Sequence, residues 1–144
     1  MSGPATIPED DDPIGDAVPI YRLVPVDQCQ VLNGAWMFRG GACDNSSLEG
    51  HTNEMSVVLG DTLAALTRDP SDLPQRAYPD EPERWGVAVL MCECILTVNG
   101  QTIGRTPTPE EPAHGDVFGA KNQNRRQKLK KCATWVVAPA LPVI

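Results

Sequence analysis

The chain has 144 residues, of which 41% are hydrophobic and 22% are charged, and this composition excludes a wholly disordered or fibrous protein. Its 14 prolines and 12 glycines predict one domain of short elements joined by many turns. The formal net charge of −7 excludes a molecule that binds nucleic acid or an anionic membrane with its whole surface, so any such contact must be local.

The first 18 residues predict a disordered acidic arm. They contain an acidic run from Glu9 to Asp12 and almost no bulky apolar side chain. No basic stretch followed by an apolar one occurs there, and no run of about 18 apolar residues occurs in the chain. We therefore expect a soluble cytoplasmic protein whose five cysteines are reduced.

The first half of the predicted domain, which spans residues 19–138, alternates β-favouring segments with turns. A strand is expected from residue 19, with Pro25 at a sheet edge or a strand end, and a second strand over 31–39. Residues 43–53 are polar and predict a long loop, which is a frequent place for a binding site. A short buried strand over 55–59 should then lead into a short helix.

The second half contains the most apolar stretch, residues 85–96, which should form the central core element. Prolines make regular structure unlikely over 70–84. The Asn99-Gly100 pair predicts a β-hairpin. The further elements are expected in this order: hairpin strands over 94–98 and 101–106, a strand over 114–118, a helix over 122–134, a strand over 135–137 and a loose tail over 139–144.

The helix over 122–134 is strongly basic. Leu129, Cys132 and Ala133 give it one narrow apolar stripe that packs it on the sheet. Half of the basic residues of the chain lie in or just before it, and no acidic residue follows Asp116: Lys121, Arg125, Arg126, Lys128, Lys130 and Lys131. Such a cluster predicts contact with phosphates or with an acidic partner. The alternative is a solvated helix face that pairs with acids of the same chain, such as those of the N-terminal arm.

A second candidate site lies between residues 111 and 121. His114 is a candidate general acid/base, Asp116 a candidate orienting group, and Lys121 a candidate anion-binding group. His114 and Asp116 share one face of the expected strand, because side chains alternate along a strand. The alternative is a turn in which His114 only bonds the backbone.

The third candidate is Arg39 with the polar loop that follows it. An arginine can hold a phosphate through two hydrogen bonds, although the spacing here matches no known motif. Cys92 and Cys94 would share one face of a strand without the second ligand pair of a structural zinc site, so we expect buried thiols and no metal. The P-loop, Rossmann, hydrolase-elbow and zincin signatures do not occur, and no cofactor is expected.

The second half of the chain resembles a pattern in short bacterial proteins of unassigned function. The pattern comprises Trp85-Gly86-Val87-Ala88, then Pro112-Ala113-His114 with Val117, Gly119 and Lys121, then a basic helix and Trp135-Val136-Val137. The resemblance implies a bacterial cytosolic protein and carries no activity with it. It gives some added weight to His114 and Lys121.

Together these features predict an α+β domain with a small, mostly antiparallel sheet, one short helix and the C-terminal basic helix. The first functional hypothesis is an accessory or binding protein that contacts a protein or nucleic-acid partner through the basic helix. The second is an enzyme acting on a nucleotide or nucleic acid, with His114 and Asp116 in catalysis and with Arg39 and Lys121 on phosphate. The third is a structural subunit of an assembly.

Overall fold

The computed structural model describes residues 7–43 and 54–139. In these residues the strands are β1 (Pro19–Pro25), β2 (Cys29–Leu32), β3 (Ala35–Phe38), β4 (Glu54–Leu59), β5 (Trp85–Met91), β6 (Thr102–Arg105), β7 (His114–Phe118) and β8 (Thr134–Val137). The helices are α1 (Gly60–Ala65), α2 (Leu73–Ala77), α3 (Cys92–Leu96) and α4 (Gln123–Cys132). Most of the loop predicted over 43–53 and of the tail predicted over 139–144 lies outside the described residues.

Six strands form one antiparallel sheet in the order β6-β7-β4-β1-β5-β8. The predicted α+β class with a mostly antiparallel sheet is thereby confirmed, as are the short helix after β4 and the C-terminal helix. β1 lies in the middle of the sheet, and Pro25 is its last residue, where the absent N–H costs least.

The two faces of the sheet have separate cores because side chains alternate along each strand. Met55, Val57 and Leu59 of β4 pack with Ile95 of α3 and Leu129 of α4, and we call this side the α4 face. Their neighbour Val58 packs on the opposite side with residues from the first two helices, Leu63 and Leu73. This opposite side is the α1 face.

β2 and β3 form a separate hairpin around Asn33 and Gly34. Both turn residues have positive φ, 52° and 78°, as a two-residue hairpin turn with the right twist requires. The stretch predicted as one strand over 31–39 is therefore parts of two strands. The hairpin packs against the end of the sheet, where the Phe38 and Trp135 rings stack with centroids 4.3 Å apart.

The predicted hairpin around Asn99-Gly100 is wrong because its first strand is the helix α3. Cys92 and Ile95 lie one helical turn apart, and both are fully buried, as is Val98 just beyond. Burial of this i, i+3 face stabilises helix over strand. Gly100, with φ of 78°, then turns the chain into β6.

The proline-rich stretch over 70–84 also contains regular structure that the sequence did not predict. α2 begins at Leu73, and Pro74 occupies its first turn, where a proline costs no helical hydrogen bond. Burial of Leu73 and Pro74 against the α1 face makes this short helix stable.

The N-terminal segment contacts the sheet well before Pro19. The carbonyls of Asp16 and Val18 accept hydrogen bonds from the first two amides of α3, at 3.0 Å each. Ile14 and Val18 pack on the α4-face core. Residues 12–18, which the composition assigns to the arm, thus contact the folded domain.

Candidate functional site

α4 is fixed by a side-chain cap at its start, by one buried apolar side chain and by a disulfide to α3 at its end. The Asn122 side chain accepts a hydrogen bond from the Arg125 amide at 2.9 Å and so caps the first turn. Leu129 is fully buried in the α4-face core. At the last residue of the helix, Cys132 forms a disulfide with Cys94 of α3. The remaining sides of α4 are left to its basic residues.

Three of the six predicted basic residues serve the fold of their own segment. The Lys121 ammonium is buried and donates to the carbonyls of Val117 and Gly119, both at 2.9 Å. The Arg125 and Arg126 guanidiniums donate to the carbonyls of Ala120 and Lys121, also at 2.9 Å. These contacts fix the loop between β7 and α4, and they hold Lys121 away from the solvent.

Of the other three, Lys128 and Lys131 lie one helical turn apart on the same side of α4, which we call the lysine face, and Lys130 lies on another side of the helix. Lys128 and Lys131 are exposed, and Lys130 is half-buried. Within residues 7–43 and 54–139, no acidic side chain forms an ion pair with any of them. The described part of the acidic N-terminal segment binds elsewhere, because Arg105 of β6 holds the carbonyls of Asp12 and Pro13.

His114 and Asp116 lie together on the α1 face and are joined through Thr106. The Thr106 hydroxyl donates to Asp116 Oδ2 at 2.7 Å and lies 2.9 Å from His114 Nδ1. His114 Nδ1 is also 3.0 Å from the Thr106 carbonyl oxygen, which only accepts. Nδ1 therefore carries a ring proton in this arrangement.

Asp116 is a buried carboxylate, with only 3% of the residue exposed. Its Oδ2 accepts from Thr106, whereas its Oδ1 is buried without a hydrogen-bond partner in the described part of the chain. A buried oxygen of this kind is costly unless it has a function or a water partner. Sequence reasoning missed Thr106, because its contact depends on the pairing of β6 with β7 across an eight-residue connection.

The two groups predicted to hold phosphate beside His114 are placed elsewhere. Lys121 donates to the carbonyl of Val117, whose side chain packs in the α4-face core. Arg39 is exposed at the end of the β2–β3 hairpin, and the segment after it carries Cys43 into the same α4-face core. His114 lies on the α1 face, so the described residues form no shared pocket of these groups.

Asp61 and Arg105 form a partly buried ion pair that the sequence did not indicate. Arg105 Nη1 and Nη2 lie 3.0 and 2.6 Å from the two Asp61 oxygens, and the Arg105 side chain is only 5% exposed. Burial by itself raises the pKa of Asp61, but the bonds and charge of Arg105 and the bonds from Thr62 outweigh it and lower that pKa. Arg105 thus connects β6, α1 and the N-terminal segment.

The cysteines differ from the prediction of five reduced thiols. Cys94 and Cys132 are joined, because Cys94 lies on a helix that faces the end of α4 and not on a strand beside Cys92. Cys29, Cys43 and Cys92 are buried and free. Burial raises the pKa of Cys43 to about 11, although the charges of Arg22, Lys130 and Lys121 lower it. These buried thiols are poor nucleophiles at neutral pH.

Comparison with known proteins gives no match to a family model, a curated protein or a solved structure. In the part of the chain that the structure describes, no helix has the length and apolar character needed to cross a membrane. The described histidine, cysteine and acidic side chains likewise form no group of three that is able to hold a metal ion.

Proposed function

We propose that this protein is a small binding module that contacts an acidic protein partner through the lysine face of α4. One observation carries the proposal: Lys128 and Lys131 lie exposed on one side of an anchored helix, with Lys130 half-buried on another side, and the described acids of the chain do not pair with any of the three. Ammonium groups that no described acid pairs with, on a molecule that is acidic as a whole, attract an acidic surface and steer it to this helix.

An acidic protein fits these groups better than a nucleic acid does. Lys121 is buried, and Arg125 and Arg126 keep their charge but each have one N–H held by a backbone carbonyl, whereas the three lysines have no such contact in the described residues. The rest of the molecule is negatively charged and repels an extended polyanion. A duplex bound by three lysines would give a slope of about −3 in a plot of log K against log salt.

The test is capture of partners from a native extract at low and at high salt, with two charge-matched variants. Lys128→Glu/Lys131→Glu alters the lysine face, and Arg39→Glu/Arg84→Glu makes the same charge change at two other exposed residues. We expect a salt-sensitive protein partner that the first variant loses and the second keeps. Equal loss with both pairs would assign the effect to net charge, and nuclease-sensitive capture would assign it to nucleic acid.

A second candidate function is acid/base chemistry at His114, favoured by the Thr106 contacts that fix the ring proton on Nδ1. Nε2 is then the atom that would accept a proton from a substrate, and Asp116 stabilises the arrangement through Thr106. Because Lys121 and Arg39 lie elsewhere, an enzyme acting on a nucleotide or nucleic acid would need other groups to hold the phosphate.

The tautomer of His114 is the property that tests this second candidate. Nitrogen NMR of the imidazole at high pH should show the Nδ1–H form, which is the minor tautomer of free histidine. Thr106→Val should shift the ring toward the Nε2–H form, because its hydroxyl contact is lost. A wild-type ring already in the Nε2–H form would exclude Nε2 as the base.

We also propose that the protein is bacterial and cytoplasmic, as its resemblance to short bacterial proteins suggests. Disulfides are rare in a reducing cytosol, so the thiol state of Cys94 and Cys132 in cells tests the cytoplasmic assignment directly. Trapping both as free thiols would support it, and trapping an intact disulfide would favour an oxidising compartment.

A further inference from the structure

An open cavity of about 430 Å³ lies on the α1 side of the molecule, apart from the lysine face and from His114. Its walls are the N-terminal segment around Val18, the ring of Tyr21 on β1, and Leu63 and Ala64 of α1. Arg68 and Pro70 close one side. The volume is within the range of small-molecule sites, and most of the lining is apolar.

The walls of this cavity are held in place by contacts outside it. Arg105 binds Asp61 at the start of α1 and also the Asp12 and Pro13 carbonyls, so it fixes the N-terminal segment over the helix. Gly60 packs against Pro19 so closely that a β-carbon would collide with the Pro19 carbonyl oxygen. The cavity is therefore preformed.

The hydrogen bonds that end α1 fix the backbone position of Arg68. The Arg68 amide donates to the Leu63 carbonyl at 2.9 Å, and the Thr67 amide donates to the Ala64 carbonyl at 3.1 Å. Thr67 has φ of 56°, so this is the usual left-handed end of a helix, in which both bonds satisfy its last carbonyls. Arg68 therefore leaves a rigid turn at the cavity wall.

Arg68 and Tyr21 bring hydrogen-bond donors to a mostly apolar cavity. Arg68 Nη1 is buried and lies 3.5 Å from Glu111 Oε1, outside the cavity lining, so a ligand would meet the other part of this side chain, which is 30% exposed. Glu111 is shared with Arg76 at 3.7 Å, so its one negative charge is divided between two guanidiniums. Burial, and then the charge of Asp69, raise the pKa of Tyr21, so its hydroxyl stays protonated as a donor.

We propose that this cavity binds a small monocarboxylic acid with an apolar chain or ring. The apolar part lies against Leu63, Ala64 and Val18, and the carboxylate accepts hydrogen bonds from Arg68 and Tyr21. Asp61 is neutralised by Arg105, but Asp69 lies near Tyr21 and disfavours a second negative charge on the ligand. A carboxylate is thus preferred over a phosphate dianion.

The test is titration of the full chain with octanoate and benzoate, and with their uncharged counterparts octanamide and benzamide. Binding is measured by calorimetry and by the NMR shifts of the Leu63 and Val18 methyl groups. We expect the acids to bind about tenfold more tightly than the amides, which is the usual effect of one charged hydrogen bond. Equal binding of acids and amides, or no binding by either acid, would overturn the proposal.

Three single substitutions test whether Arg68 contacts the carboxylate of the ligand. Arg68→Gln should weaken octanoate binding about tenfold and leave octanamide unchanged. Arg76→Gln removes the other guanidinium from Glu111, and Arg84→Gln removes an exposed arginine that pairs only with Glu81 among the described residues; both should bind octanoate like the wild type. Equal weakening by Arg68→Gln and Arg76→Gln would overturn a direct contact. The acid–amide comparison on wild-type protein decides the matter if a variant fails to fold.

Discussion

Asp61 and Arg105 show how single residues hold this small fold together. Arg105 uses its guanidinium on the Asp61 carboxylate and on two carbonyls of the N-terminal segment, while its own side chain is almost fully buried. A buried arginine is stable only when its donors are matched in this way. The pair therefore couples the N-terminal segment to the sheet.

Replacing Asp61 with asparagine should reduce stability in a pH-dependent way. The pKa of Asp61 is lowered in the folded state, so its contribution is present above the ordinary value of 3.8 and is lost as pH falls through the folded value. We expect Asp61→Asn to cost about 2 kcal/mol at pH 7 and less near pH 3, which is below the ordinary value of 3.8, so that the stabilisation by the charged form is already decreasing.

Urea unfolding of the wild type and of Asp61→Asn at both pH values measures this difference. Asp80→Asn, which alters an exposed carboxylate, is the control and should change little at either pH. An equal loss for Asp61→Asn at pH 7 and near pH 3 would contradict a role for the Asp61 charge.

Residue types could be predicted at this scale, but residue partners could not. His114 and Asp116 were singled out because alternation along a strand puts them on one face. Thr106 and the Asp61–Arg105 pair escaped prediction, because their contacts depend on which strands are neighbours and in what register. The neighbours of each strand and their register are decided by the packing of the whole domain, and no local sequence pattern predicts them.

At the scale of elements, the disulfide joins the end of the basic helix to α3. The bond between Cys94 and Cys132 closes a loop over a sequence separation of 38 residues. A cross-link of this length stabilises a small domain mainly because it restricts the unfolded chain. It also stabilises the last turn of α4, which carries Lys130 and Lys131.

Cys94→Ser/Cys132→Ser should lower the free energy of unfolding by about 2–4 kcal/mol. Denaturant unfolding with and without reductant measures the effect, and hydrogen exchange should rise most in the last turn of α4. Reductant should destabilise the wild type to the level of the variant and leave the variant unchanged. A wild type insensitive to reductant would contradict a structural disulfide.

Helices could be predicted from the sequence where residues close to their ends mark the start and the end. The basic helix was expected over 122–134 and spans Gln123–Cys132, because Asn122 caps it and neither proline nor glycine interrupts it. α3 was missed because a short apolar run fits strand and helix equally well. The Cys94–Cys132 pairing was missed with it, since only the helix directs Cys94 toward α4.

At the scale of the whole molecule, positive charge is concentrated on one helix of an acidic protein. The sheet separates this helix from the cavity near Tyr21 and from His114, which lie on the α1 face. The sequence alone predicts that positive charge is concentrated in this helix. It does not predict which basic side chains the fold holds, because the carbonyls that bind Lys121, Arg125 and Arg126 come close to them only in the folded chain.

The chain has four lysines, which allows the lysine face to be tested without substitution. Mass spectrometry measures the rate at which an amine-reactive label modifies each lysine, in buffer and in native extract, with a reference peptide correcting for reagent loss. In buffer, Lys128 and Lys131 should react fastest and the buried Lys121 slowest. We predict that extract at low salt slows labelling of Lys128 and Lys131, and that high salt restores it. Equal rates in extract and in buffer would contradict the lysine face as the binding surface.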